Sequence, residues 1–269
     1  PSTSESSCRE RVRVLVSVSL AAASLKETAA HRRKQASRAR GGSGIVSNAG
    51  QGLTIWGNWI GLDASGTLDF GNALSGVRLE NGTIAQQLLD NIISGNANGV
   101  RIEAGAWGII LTGNRIGTNA AGNAALGNSG IGVEVLDAAL VQIGIGGQGN
   151  LISGNGSRGV RISGSNSAGT SVRGNFIGTD STGSFDVGNA SDGIEVVDVG
   201  GVEIGGAGAG EGNLISGNNL RGVVLSGSNT TGAQVRGNFI GTNLAGTAAV
   251  PNSGAGIEIN AAPGNIIGG

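Results

Sequence analysis

Methionine and tyrosine are absent from this 269-residue chain, cysteine and histidine occur once each, and prolines number 3. One cysteine, Cys8, rules out an internal disulfide. So few prolines beside 54 glycines, with no glycine at every third position, rule out a collagen triple helix. No apolar run reaches the ~20 residues that a membrane helix needs; the stretch Val14–Ala23 is half that length. Glycine costs about 1 kcal/mol relative to alanine inside a helix, and no long glycine-free window follows residue 41, which excludes a helical bundle. Disorder is excluded in turn by 38% hydrophobic residues and a mean hydropathy of +0.09. What remains is a glycine-rich β architecture of short strands and tight turns.

Charge divides the chain in two. Residues 1–40 carry an excess of basic residues and contain no glycine or asparagine, whereas residues 41–269 hold 8 arginines, no lysine and 15 acidic residues. The sequence therefore reads as a basic leader over 1–43 and a repeat domain over 44–269. In the leader, Arg9, Arg11 and Arg13 precede Val14–Ala23, the order of a secretory signal. The second basic run, His31-Arg32-Arg33-Lys34, fits a solvated leader instead, and both readings stay open.

From residue 41 the chain repeats. GNWIGL (57–62), GNRIGT (113–118), GNFIGT (174–179) and GNFIGT (237–242) alternate with NIISGN (91–96), NLISGN (150–155) and NLISGN (213–218). Each unit carries Asn-x-Ile, from Asn58/Ile60 to Asn265/Ile267, which predicts eight turns of chain. A period-two strand follows each: Val77-Arg78-Leu79, Val100-Arg101-Ile102, Val133-Glu134-Val135, Val160-Arg161-Ile162, Ile194-Glu195-Val196, Val223-Val224-Leu225 and Ile257-Glu258-Ile259. Their middle residues must face outward, away from the β-branched pair. A third strand precedes the asparagine, as in Val172-Arg173-Gly174-Asn175. Three strands per turn describe a coil about 4.8 Å high, and eight coils a solenoid roughly 34 Å long. Asparagine at the bend is expected both to adopt a positive φ and to form an amide ladder down the stack.

The cycle GN-x-IGT…GN…G[VI]-x-[VI]…IGG…GNLISGN resembles the right-handed parallel β-helix repeat proteins of bacterial surfaces, within the pectin-lyase-like group. The resemblance covers about residues 44–269. It implies an all-β parallel β-helix, an extracellular or cell-surface location, and either a non-catalytic role or polysaccharide chemistry. Enzymes of this fold use clustered carboxylates with a nearby Lys, Arg or His. Here the repeat domain has no lysine, histidine or tyrosine, leaving carboxylates and permanently charged arginine.

These departures favour a non-catalytic stalk or adhesin-like segment that binds glycans. The alternative is a glycoside hydrolase or lyase using the carboxylate cluster Asp180, Asp186, Asp192, Glu195 and Asp198, against which stands ordinary Asx-turn chemistry. The loop after each IGT or IGL aligns Asp63, Asn119, Asp180 and Asn243, then four glycines, then Asp69, Ala125, Asp186 and Ala249. Asp63 with Asp69, and Asp180 with Asp186, are thus weak Ca²⁺ candidates, short of the 6–8 oxygens such an ion takes; no cofactor is otherwise implied. The residue between Asn and Ile points outward, and Trp59, Arg115, Phe176 and Phe239 in that column form a candidate sugar platform unless the long loops cover them. The acidic repeat domain disfavours nucleic acid. Ile267-Gly268-Gly269 matches Ile204-Gly205-Gly206 in mid-repeat, so the domain is expected to be a fragment of a longer solenoid, with ends capable of self-association.

Overall fold

The computed structural model describes Ala36–Ser37 and residues 41–268. The readings placed on Cys8, His31 and the signal-like run lie outside them.

The described residues form a right-handed parallel β-helix of three eight-stranded sheets, each built from one strand per coil. The first sheet contains the Asn-x-Ile strands: Trp59–Ile60, Ile92–Ile93, Arg115–Ile116, Leu151–Ile152, Phe176–Ile177, Leu214–Ile215 and Phe239–Ile240, preceded by Ala36–Ser37. The second contains the G[VI]-x-[VI] strands from Ile45–Asn48 to Ile257–Asn260. The third runs from Thr54–Trp56 to Ile266–Ile267. Strand Ala36–Ser37, from the segment read as leader, pairs in register with Trp59–Ile60.

Inward residues of all three sheets make one core. Ile60, Ile93, Ile116, Ile152, Ile177 and Ile215 stack as a fully buried column, joined by Val and Ile from the second sheet and by Leu88, Leu111, Ile143, Val172 and Ile204 from the third. No coil closes such a core alone, so each is stabilised by its neighbours.

Two asparagine ladders flank the first sheet. Before it, Asn58, Asn91, Asn114, Asn150, Asn175, Asn213 and Asn238 are linked side chain to side chain at 2.8–3.0 Å. After it, Asn72, Asn96, Asn128, Asn155, Asn189, Asn218 and Asn252 form a second chain of the same kind, one the repeat pattern did not disclose. Neither ladder uses positive φ at asparagine, contrary to expectation. At five of the seven first-ladder positions the left-handed residue is the one before it, Gly57, Asp90, Gly113, Gly174 and Gly237; ahead of Asn150 and Asn213 it lies three residues back, at Gly147 and Gly210. Glycine takes the bend, which frees the asparagine amide to bond neighbouring coils. A second correction concerns Asn265 and Ile267. Ile266–Ile267 pairs with Gln234–Val235 in the third sheet, so neither residue continues the first ladder or the isoleucine column, and Ile266 does not continue the outward stripe.

Candidate functional site

Only every second coil carries a long loop after the first sheet. Each loop closes by an antiparallel bridge: Leu62 with Asp69, Thr118 with Ala125, Thr179 with Asp186, Thr242 with Ala249. The first loop residue caps the turn with its side-chain oxygen. Asp63 accepts from the N–H groups of Thr67 and Leu68, Asp180 from Ser184 and Phe185, and the neutral Asn243 does the same from Thr247 and Ala248. The Ser65 hydroxyl and the loop N–H groups hold the Asp63 carboxyl well below the ordinary carboxylate range. Burial pushes Asp180 up, but the N–H groups of Phe185 and Ser184 and the Thr182 hydroxyl outweigh it and hold the carboxyl low. Asp69 and Asp186 each accept a backbone N–H two residues on, from Gly71 and Gly188. Among the described residues no three His, Cys, Asp or Glu side chains gather closely enough to share a metal ion.

The loops also stack on one another across the coil between them. The N–H groups of Ala120, Ser181 and Leu244 donate to the carbonyls of Gly66, Gly122 and Gly183, at 3.2, 2.8 and 3.0 Å. This second layer lies over the outward apolar stripe. Ile92, Leu151 and Leu214, on the loopless coils, are 5%, 7% and 1% exposed, and Trp59, Arg115 and Phe176 are half-buried. Phe239, at 45%, is the one aromatic of the stripe that is exposed.

The five carboxylates of the 180–198 segment separate. Asp180 and Asp186 stay in the loop, and Asp198 sits at φ 52° in the bend after the second sheet, accepting from the Asn229 N–H. Asp192 and Glu195 come together on the second sheet, where the outward column runs Arg78, Arg101, Glu134, Arg161, Glu195, Val224, Glu258 in strict register. Beside it runs a shorter column at the turn before each strand, Arg158, Asp192 and Arg221. The two columns join into one row of alternating sign: Glu80, Arg78, Glu103, Arg101, Glu134, Arg161, Glu195, Arg158, Asp192, Arg221, Glu258. Every arginine in the row bridges two carboxylates. Val224 interrupts the strand column, and the turn column carries the row past it.

Asp192 is the most deeply set member, with no exposed surface. Its Oδ1 accepts from the Arg221 N–H and Nε at 3.2 and 2.8 Å, and its Oδ2 from Arg221 Nη2 at 3.2 Å. Burial raises its pKa, but the Arg221 hydrogen bonds and the charges of Arg221 and Arg158 more than offset this and hold it ionised below the usual range. Arg221 is raised correspondingly by Asp192. Glu195, 9% exposed, meets Arg158 Nε at 2.8 Å and Arg161 Nε at 3.0 Å through the same oxygen, Oε2. Its Oε1 has no partner among the described residues. Sequence reasoning found the strand column but missed Arg158 and Arg221. The signal was present as Arg-Gly-Val, Asp-Gly-Ile and Arg-Gly-Val at the entry of three successive strands.

No protein-family model and no curated protein matches the chain. Solved structures do. A mutant of the periplasmic alginate epimerase AlgG is similar at 14% identity and a TM-score of 0.50, over 84% of this chain and 47% of that one. The A-modules of the Azotobacter vinelandii mannuronan C-5 epimerases AlgE6 and AlgE4 are similar at 18% and 17% identity, with TM-scores of 0.48 and 0.46. Each is matched over 81% of this chain, and over 57% and 55% of its own length. The chain thus spans about half of each of these proteins, and the likeness is one of fold. It nevertheless corrects the expectation of a non-catalytic stalk or adhesin-like segment, and with it the leaning away from an enzyme. AlgG, whose solved structure shares this fold, is by its description an epimerase, and the second sheet here carries a partly buried Asp/Glu/Arg row in place of an inert face.

Proposed function

We propose that the chain acts on an acidic polysaccharide by removing a proton next to a uronate carboxylate, on the second-sheet face around Glu195. The observation that carries this reading is one carboxylate, Glu195, whose Oε2 meets two arginines, Arg158 and Arg161, while its Oε1 accepts no hydrogen bond among the described residues; Arg221 stands next along the row, on Asp192. In this chemistry an arginine offsets the charge of the substrate carboxylate and so acidifies the adjacent C–H; Glu195 takes the proton, the C–H electron pair is held as the enolate of that carboxylate, and return of a solvent-exchanged proton to the same carbon restores both Glu195 and a uronate. Asp192 is a positioning residue that holds Arg158 and Arg221. Two-carboxylate hydrolysis is less well supported, because it needs one carboxyl kept protonated, and Asp192 is held ionised. The coil rise of about 4.8 Å suits a sugar chain laid along the row, one ring to a coil. Work on an extracytoplasmic polysaccharide fits the periplasmic setting of AlgG.

Incubation with alginate and polygalacturonate in D₂O tests the proposal by deuterium incorporation at the carbon beside the carboxylate, read by NMR. Exchange by the wild-type chain and its loss in Glu195→Gln are expected. No exchange on either polyuronate, or full exchange by Glu195→Gln, overturns it.

A further inference from the structure

Asparagine followed by glycine is a chemically labile pair, because a residue without a side chain lets its backbone nitrogen reach the asparagine Cγ. The chain has three such pairs, Asn81-Gly82, Asn98-Gly99 and Asn155-Gly156, and the fold treats them differently. Asn155 belongs to the second ladder and is 1% exposed; its oxygen accepts from Asn128, its Nδ2 donates to Asn189, and the Gly156 N–H donates to the Asn128 carbonyl at 2.8 Å. Asn98 opens a second-sheet strand, where its Oδ1 accepts from the Ile131 N–H and the Gly99 N–H donates to the Ile131 carbonyl, both at 2.9 Å. In these two pairs the amide to be attacked and the nitrogen that would attack are both held by neighbouring coils.

Asn81 is placed otherwise. It is exposed, one residue past the strand Ser75–Glu80, with φ 52°, and Gly82 follows at φ 79°. Two successive left-handed residues are what asparagine and glycine supply at least cost, so the geometry of the bend selects the pair that chemistry makes labile. The bend is pinned at its edges. The Asn81 N–H donates to the Ala104 carbonyl, and the Thr83 hydroxyl lies 3.0 and 2.7 Å from the carbonyls of Ser47 and Glu80. Between these points neither the Asn81 amide nor the Gly82 N–H has a hydrogen-bond partner among the described residues, and a Cβ on Gly82 would meet nothing within 4 Å. The same place, one residue past a second-sheet strand, holds Asp137 and Asp198 at φ 53° and 52° in later coils. Aspartate is therefore a product this bend accepts.

We infer that Asn81 is a site of spontaneous covalent modification, deamidating to aspartate and isoaspartate. The Gly82 nitrogen attacks Asn81 Cγ; the N–Cγ bond forms, the Cγ–Nδ2 bond breaks, and the Gly82 proton leaves with the amide as ammonia. Water then opens the succinimide, at Cγ to give aspartate or at the backbone carbonyl to give isoaspartate. Water enters and ammonia leaves, with no change of oxidation state. Either product sets a new carboxylate beside Glu80, which already holds Arg78 at 2.8 Å at the end of the charged row. Isoaspartate also lengthens the main chain by one carbon within the pinned bend. No step involves Glu195 or a polysaccharide, so this inference and the proposed function can fail separately.

Ageing of the chain in warm, mildly alkaline buffer tests it, with tandem mass spectrometry locating each gain of about 1 Da and electron-transfer fragmentation separating isoaspartate from aspartate. In the folded chain Asn81 is expected to convert at least tenfold faster than Asn98 or Asn155, to both products. In concentrated urea all three pairs should convert at similar rates, which assigns the difference to the fold. Gly82→Ala, which puts a methyl group on the attacking residue, should slow conversion at Asn81 at least tenfold in the folded chain. Conversion at Asn81 no faster than at Asn98 or Asn155, an equal preference for Asn81 in urea, or an unchanged rate in Gly82→Ala overturns the inference.

Discussion

Nδ2 of Asn175 donates to Oδ1 of Asn213, one coil away, at 2.9 Å, and the backbone N–H of Asn175 donates to that same oxygen at 3.0 Å. The Asn175 amide also donates to the carbonyls of Ile143 and Arg173, and its own oxygen accepts twice from Asn150. Asn175→Ala therefore strands several buried partners at once, each worth about 1–3 kcal/mol. A loss of at least 3 kcal/mol in urea unfolding is expected; a loss under 1 kcal/mol would show that the ladder is ornamental.

Asn175→Asp is expected to be worse than alanine at neutral pH. It keeps the acceptor but turns the donor into a second oxygen facing two carbonyls. Burial raises the folded-state pKa of such a carboxyl, so the folded form binds the proton more tightly than the unfolded one. The deficit relative to wild type should then shrink as pH falls towards the unfolded value of about 4, and denaturation curves at pH 7 and pH 4.5 would reveal it.

Asp192 has the opposite sign. Its pKa is held below the unfolded value, so its stabilisation is present above about pH 4 and is lost as pH falls through the folded pKa. Asp192→Asn should cost about 2–4 kcal/mol at pH 7, since it leaves Arg221 and Arg158 without their buried partner. Paired measurements at pH 7 and pH 2.5 should show the two proteins converging in acid.

Asp180→Asn should be nearly silent, changing stability by less than about 1 kcal/mol. Asn119 and Asn243 already occupy equivalent loop positions and accept the same kind of N–H. Melting temperatures of wild type and variant with and without CaCl₂ should coincide, and a calcium-dependent rise confined to wild type would restore the metal reading.

Gly183 has φ 68°, and a Cβ there would lie 2.8 Å from Leu214 Cδ2 and 2.9 Å from Leu244 Cβ. Gly183→Ala combines left-handed strain of about 1–2 kcal/mol with overpacking of about 1–3 kcal/mol. A lower urea midpoint with lifted protection of the 180–187 loop in hydrogen exchange is the expected result.

The features readable in the sequence were those with a strict local period. Ile177 and its equivalents had to face inward, and Glu134, Arg161 and Glu195 had to line up, because both follow from alternation within a three-residue strand repeated once per coil. The second ladder escaped although six of its seven asparagines follow a glycine, because they alternate between two settings, the end of a long loop at Asn72, Asn128, Asn189 and Asn252 and the short ISGN turn at Asn96, Asn155 and Asn218. Backbone conformation at the bend was misassigned because Gly-Asn offers two residues able to take positive φ, and only the ladder bonding decides between them. The bridging roles of Arg158 and Arg221 depend on side-chain reach between two columns, which no one-dimensional period encodes.

The stacking of loop 119–126 on loop 63–70, and of 180–187 on 119–126, gives the solenoid a parity. Odd and even coils are not interchangeable, because each loop roofs its own coil and the next and then meets another loop. Removal of one coil would set a roofed coil beside another roofed coil and leave two loops contending for one layer, a phase error that would run the length of the stack. Removal of two would restore the phase. The structural quantum by which this protein can be lengthened, shortened or spliced is therefore the pair of coils.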